Sequence, residues 1–321
     1  MPDMRDIPAT PDACPACGTA LAGRYCHDCG QDLQARPRPL RDMVEEALSE
    51  TTLIDSRLAR TVVALSVAPG RLLIGYRSGA GGLYVSPIKI FVVMTALFLA
   101  VLNFSDVALY QFVRRAPPDA VLVATPDPDG TTVHVSGVID EDRFMQRRIE
   151  PAVDPRITEA IRAAVARTSD PAERANLESD ILLDEALTRT ADRMLQWLPN
   201  ALWLLMPLYA LLLAPLFGRR RLFMEHLVFA MWAHATAFGL LMLLALANRF
   251  QLGPPAWFVA APYLIYFVLA ARRYYDMSAA SALWRSLVHT SLYVMLVLLP
   301  AATVAMAAGL AWSAFQLGAA S

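Results

Sequence analysis

The hydrophobic pattern of this chain is one of long apolar runs set between mixed, polar stretches. Five runs can be drawn, at residues 88–104, 198–217, 227–247, 256–271 and 287–315. A helix rises about 1.5 Å per residue, so crossing a hydrocarbon layer of about 30 Å takes about 20 residues. By that measure the first run is short, the fourth is near the lower limit and the fifth is long enough to tilt. Only brief polar interruptions separate the last four, which makes sequential helices antiparallel neighbours. The pattern predicts a mainly α fold built on a five-helix transmembrane bundle.

The stretches between the runs carry their own periodicities. Leu40, Met43, Val44, Ala47, Leu48, Leu53, Ile54, Leu58, Val62 and Leu65 recur at helical spacing and stop at Pro69-Gly70. A second short amphipathic piece, 71–77, sets Arg71 and Arg77 beside apolar residues, either on the membrane surface or packed on the bundle. Residues 37–86 are thus expected as cytosolic or interfacial helices. In 105–197, alternating residues at 120–125 and 131–139 flank Pro126-Asp127-Pro128-Asp129-Gly130, which predicts a β-hairpin. Helices are expected at 157–168 and 172–197, the second opened by Asp170-Pro171 with Glu173 in its first turn. Asp127 and Asp129-Gly130 resemble the start of a calcium loop, but the later ligands are absent. The segment is expected as a small α+β insertion on the outer side of the membrane.

Composition agrees with the runs. The chain is 56% hydrophobic and 18% charged, against about 45–50% and about 25% for an ordinary soluble domain. That excludes a disordered tail and a disulfide scaffold and disfavours a soluble protein. The net charge of −1 disfavours a nucleic-acid binder. Lys89 is the sole lysine among 28 basic residues, so the charge rule for membrane orientation rests on arginine. Arg219, Arg220 and Arg221 lie in one loop and Arg272, Arg273 and Arg285 in another, whereas the intervening loop has Arg249 alone. Short cytosolic loops collect positive charge, so the N-terminus is expected in the cytosol and the C-terminus outside. Residues 105–197, with 17 acids against 11 arginines, are expected to face out.

All four cysteines fall in the first thirty residues, as Cys14-Pro15-Ala16-Cys17-Gly18 and Cys26-His27-Asp28-Cys29-Gly30. No apolar leader is read before them, so they are expected in a reducing cytosol. Two Cys-x-x-Cys turns each present two thiolates to one ion, and the glycine after each second cysteine lets the backbone fold over the sulfur. The interval between the turns is shorter than the roughly 15–20 residues of common four-cysteine fingers. A minimal ribbon at 1–36 is expected, with Tyr25 as almost its only apolar packing and one structural zinc on Cys14, Cys17, Cys26 and Cys29. A rubredoxin-like iron site and a thiol redox pair are the alternatives; iron would want a larger aromatic shell, and two adjacent thiol pairs suit a metal better. A closed four-thiolate site has no open position, so this zinc would fold the module without catalysing.

These residues resemble a bacterial domain family of unknown function, in which a CxxCG…YCxxCGQ ribbon precedes a multi-helix membrane region. The resemblance lies in residues 14–31, in Thr61 through Pro69-Gly70 to Tyr84-Val85-Ser86-Pro87, in Glu225-His226-Leu227-Val228-Phe229-Ala230 with His234, and in Arg272-Arg273-Tyr274-Tyr275. Two positions depart from the family pattern: Ala80 and Gly81 stand where basic residues are common, and Trp232 where a second histidine is common. The resemblance implies a multi-pass protein of the bacterial inner membrane and supplies no activity.

The remaining candidate chemistry is intramembrane. His234 falls near the middle of its run, where an ionisable side chain is costly and is by default a functional candidate. Tyr263 and Tyr266 are expected at similar depth, within reach of its ring. Glu225 is expected to pair with Arg221, and His226 and His289 to sit at the headgroup level. No nucleophile constellation, phosphate loop, dinucleotide pattern or paired intramembrane acids can be drawn, so an enzyme is disfavoured. The expected function is a non-enzymatic anchor, sensor or assembly factor that docks a protein partner through its zinc ribbon and touches lipid through its spans. The alternative is a small-solute transporter with a polar path around His234.

Overall fold

The computed structural model describes residues 13–14, 19–23, 25–28, 56–68, 70–77, 84–126, 133–136, 138–218 and 221–318. The fold is mainly helical, and the chain divides into two compact units. The first holds Met1–Phe98, Leu204–Leu240 and Trp257–Val294; the second holds Leu99–Trp203, Leu241–Ala256 and Met295–Ser321.

Helix α1 (Ser56–Val67) is the first helix among the described residues of the first unit. The helical residues expected before it, Leu40 to Ile54, lie outside the described residues. Thr61 is fully buried; its hydroxyl donates to the Arg57 carbonyl at 2.7 Å and accepts the Val85 N–H at 2.9 Å. One threonine thereby holds α1 against the approach to α3. The turn into α2 (Arg71–Arg77) is made by Gly70 at φ +83°, where a Cβ would come within 3.1 Å of both the Ala270 carbonyl oxygen and the Arg273 Cβ. Glycine is needed there twice, for the left-handed backbone and for the close approach. Helix α3 (Pro87–Phe104) starts on a proline, whose missing N–H costs nothing in a first turn. It buries Ile90, Phe91 and Phe98, and Phe98 stacks on Phe238 with ring centroids 5.2 Å apart.

The second unit is built around two nested antiparallel pairs. Strand β1 (Val107–Arg115) pairs with β4 (Ile139–Arg147), from Val107 opposite Arg147 to Arg115 opposite Ile139. Inside lie β2 (Val123–Pro126) and β3 (Val133–Ser136), with Val123 opposite Ser136 and Pro126 opposite Val133. The inner pair is the hairpin expected from the alternation. The outer pair was not expected, because 105–115 reads as a tail of the apolar run and 139–147 as an acidic stretch. Helix α4 (Pro155–Arg167), capped by the Asp154 carboxylate accepting the Arg156 N–H, buries Ile157 and Ile161 against Leu177 of α5. Helix α5 runs unbroken over Pro171–Phe217. The expected helix at 172–197 and the apolar run at 198–217 are therefore one 47-residue helix; Pro199 and Pro207 both lie within it, so proline here does not end it.

Helix α6 (Phe223–Arg249) carries the third apolar run, and near its end Asn248 donates to the Met145 carbonyl at 2.6 Å. A short 3-10 turn, Ala256–Val259, leads into α7 (Ala260–Tyr275). Helix α8 (Ala279–Tyr293) passes through a π turn, Val294–Leu298, into α9 (Leu299–Gly318). The wide turn has a cause in Pro300, which has no N–H and whose ring crowds the carbonyl four residues before it.

Among the described residues, three helical stretches are long and apolar enough to cross a membrane: Pro87–Phe104, Phe223–Arg249 and Ala279–Trp312. The other two expected spans do not meet that measure among the described residues. Trp203–Phe217 is the apolar part of α5, and α7 has 16 residues, about 24 Å at 1.5 Å per residue.

Candidate functional site

Four helices of the first unit bring histidine and tyrosine together. Tyr209 comes from α5, His226 and His234 from α6, Tyr263, Phe267 and Tyr275 from α7, and His289 and Tyr293 from α8. The Tyr209 ring is central: its centroid lies 5.0 Å from that of His234, 4.3 Å from His289 and 4.8 Å from Tyr293, each edge-on. Phe91 and Phe238 close the His234 side, with centroids 6.3 and 6.2 Å from its ring.

The hydrogen bonds set the tautomers, because a backbone carbonyl can only accept. His234 Nδ1 lies 2.8 Å from the Ala230 carbonyl, so Nδ1 carries the proton and Nε2 accepts from the Tyr293 hydroxyl at 3.4 Å. His226 Nε2 donates to the Gly218 carbonyl at 3.3 Å, and its Nδ1 accepts from the Tyr275 hydroxyl at 2.8 Å. His289 Nε2 donates to the Tyr209 carbonyl at 3.2 Å. Every one of these rings is spent on joining one turn or helix to another.

The expected polar set of His234, Tyr263, Tyr266, Glu225 and His226 is therefore dispersed. Tyr263 bonds the Tyr209 hydroxyl at 2.9 Å, one ring away from His234, and Tyr266 bonds the Thr236 side chain. Glu225 and His226 form a separate group at the start of α6, where Glu225 faces Arg221 at 3.8 Å. That is the expected pair, at more than hydrogen-bond length. His226 and His289, expected at the headgroup level, are both fully enclosed by protein. The partners missed from sequence are Tyr209, His289 and Tyr293. A signal existed, since His289 and Tyr293 are four residues apart and so share a helix face. The C-terminal end of α5 is capped by Arg285, whose guanidinium donates to the Leu216 carbonyl at 2.7 Å.

At the N-terminus, Cys14 and Cys26 are 3% and 2% exposed. Ala13 bridges Ala20 antiparallel, the Cys14 N–H bonds the Thr19 carbonyl at 2.8 Å, and the Thr19 hydroxyl bonds Asp28 at 3.1 Å. Tyr25, expected as the packing residue, is instead 58% exposed. Cys17 and Cys29 lie outside the described residues. Among the described residues, no group of three or more His, Cys, Asp or Glu is placed to hold a metal.

The second unit contains an ionic cluster. The buried Arg114 guanidinium bonds Asp184 at 2.9 and 3.0 Å, Asp180 at 3.1 Å and Asp140 at 3.1 Å. Burial pushes the Asp184 carboxyl up to about 6, against the opposing pull of Arg114. Burial alone would lower the Arg114 guanidinium, but Asp184 and Asp180 raise it above its ordinary value. Beside the cluster, β1 and residues 148–152 line a cleft of about 570 Å³.

The fold and the sites together define an α-helical protein with helices able to cross a membrane and an α+β unit. Residues 55–99, which hold Thr61, Gly70 and α3 as far as Leu99, match the model of a family described as "Protein of unknown function (DUF3667)". This supports the resemblance to a domain family of unknown function. No curated protein and no solved structure matches the chain.

Proposed function

We propose that the chain is a multi-pass protein of the bacterial inner membrane, non-enzymatic, that docks a protein partner through a cytosolic zinc ribbon. Five spans, an internal N-terminus and an external C-terminus complete this reading, with 105–197 outside. For the bundle, the observation that carries it is the state of His234. Both of its ring nitrogens are engaged within the chain, one by the Ala230 carbonyl and the other by Tyr293. A histidine so bound acts as a fastener between helices; a solute path around it would have to break those bonds. For the ribbon, support comes from the burial of Cys14 and Cys26 in a segment with almost no apolar side chains. Zinc on Cys14, Cys17, Cys26 and Cys29 would supply the folding energy that so small a core lacks.

The test compares two variants of the full-length protein in its native membrane. Cross-linking should capture a partner with wild type and His234→Ala, and lose it with Cys14→Ser. Solute flux in reconstituted vesicles that His234→Ala abolishes would overturn the docking reading and favour the transporter.

A further inference from the structure

Of the three enclosed histidines, two have their second ring nitrogen met by a tyrosine hydroxyl, Tyr293 for His234 and Tyr275 for His226. His289 does not. Its Nε2–H is committed to the Tyr209 carbonyl, so Nδ1 is a bare lone pair, buried and without a hydrogen-bond partner among the described residues. On the same helix, the buried hydroxyl oxygens of Ser286 and Thr290 are in the same condition. At about 100° per residue, positions 286, 289 and 290 fall within an arc of about 100° on α8. Three unmet polar atoms on one face of one helix, with Ser286 and His289 fully buried, form a grouped acceptor site. Buried polar atoms are otherwise met nearly everywhere in folded proteins.

We propose that Ser286, His289 and Thr290 form a binding site for one water-sized hydrogen-bond donor inside the helical unit, either water or ammonium. The acceptor at His289 Nδ1 requires an O–H or N–H donor from the ligand, while the two hydroxyls can donate or accept. Helical positions three or four apart hold their Cβ atoms about 5–6 Å apart, a gap that one small tetrahedral ligand spans with two ordinary hydrogen bonds. A divalent metal is a poor fit for a single imidazole and two neutral hydroxyls. This site stands apart from the zinc ribbon and from any docked partner, since all its groups lie on α8.

The test is ¹⁵N NMR of the full-length, histidine-labelled protein in detergent micelles, with His289 assigned by the resonance that His289→Gln removes. A ligand that donates to Nδ1 moves this resonance upfield from the position of a non-bonded ring nitrogen, and Ser286→Ala/Thr290→Val moves it back toward that position. A wild-type resonance already at the non-bonded position overturns the site, and this reading needs no variant of Ser286 or Thr290 to fold. A double variant that unfolds at a higher temperature than wild type also overturns it, because removing unmet polar atoms relieves a penalty whereas removing ligating ones does not. Exchanging sodium chloride for ammonium chloride separates the sources: a further shift assigns ammonium, and no change assigns water.

Discussion

At the scale of single residues, the structure turns two sequence signals into contacts with measurable strength. The first is His234, which was legible as an unusual residue in an apolar run. Its partner was not legible, because Tyr263, Tyr266 and Tyr293 all lie within apolar stretches and only the packing of α8 on α6 selects Tyr293. Interhelical hydrogen bonds in a bilayer contribute about 0.6–1.7 kcal/mol. Tyr293→Phe keeps the ring and removes only the hydroxyl, so its thermal unfolding in detergent should show a loss of about that size. The second is Gly70, legible as a helix stop but not as a contact with α7. At φ +83°, with Ala270 and Arg273 at 3.1 Å from a Cβ, Gly70→Ala should destabilise by about 1 kcal/mol or more. Trypsin cleavage around Arg71 and Arg77 should accelerate in that variant, and an unchanged rate would reject the close contact.

At the scale of elements, helices and the inner hairpin followed from periodicity and turn residues, whereas β1 and β4 did not. Their pairing is non-local: Arg115 meets Ile139 across the whole inner hairpin. Nothing in a short window signals such a partner. Likewise, no local signal separates or joins the polar and apolar halves of α5, since helix continuity depends on backbone bonds and not on where hydrophobicity changes. The Arg114 cluster belongs to this scale, because β1, β4 and α5 each contribute a member. Burial holds the Asp184 carboxyl at about 6 in the folded state, above the ordinary carboxylate range, so the folded state takes up its proton first. This group therefore adds stability as pH falls through 6, and the gain levels off near the unfolded value. The unfolding midpoint should rise between pH 7 and pH 5 relative to that of Asp184→Asn, in which this component is absent. Parallel midpoints for the two proteins would contradict the assignment. Removing the cation is the harsher change: Arg114→Leu leaves buried carboxylates uncompensated, a loss of about 3–5 kcal/mol for such pairs.

At the scale of the whole molecule, the sequence conveyed the membrane character clearly through its apolar excess, and among the described residues three helices have the length and composition to match. The proposed five spans depend on Trp203–Phe217 and α7 crossing as well, and a periplasm-active reporter fused after the last residue tests the count. Activity is expected with five spans, an odd number from a cytosolic start. A reporter active only in the cytosol would mean an even number. For the ribbon, metal analysis of the full-length protein should find one zinc per chain, falling to well under half an equivalent in Cys14→Ser.

The arginine at position 285 ties these scales together. The proposed orientation counts it among the loop arginines, although it lies within the first turns of α8; as a hydrogen-bond donor, it closes the end of α5 at Leu216. In the proposed orientation, sidedness and helix termination thus fall to the same side chain. An experiment that maps orientation by reversing charges would, at this position, confuse a chain that has flipped with one that has frayed. Arg285→Lys separates the two, because it keeps the positive charge but gives up the planar fork that reaches the carbonyl.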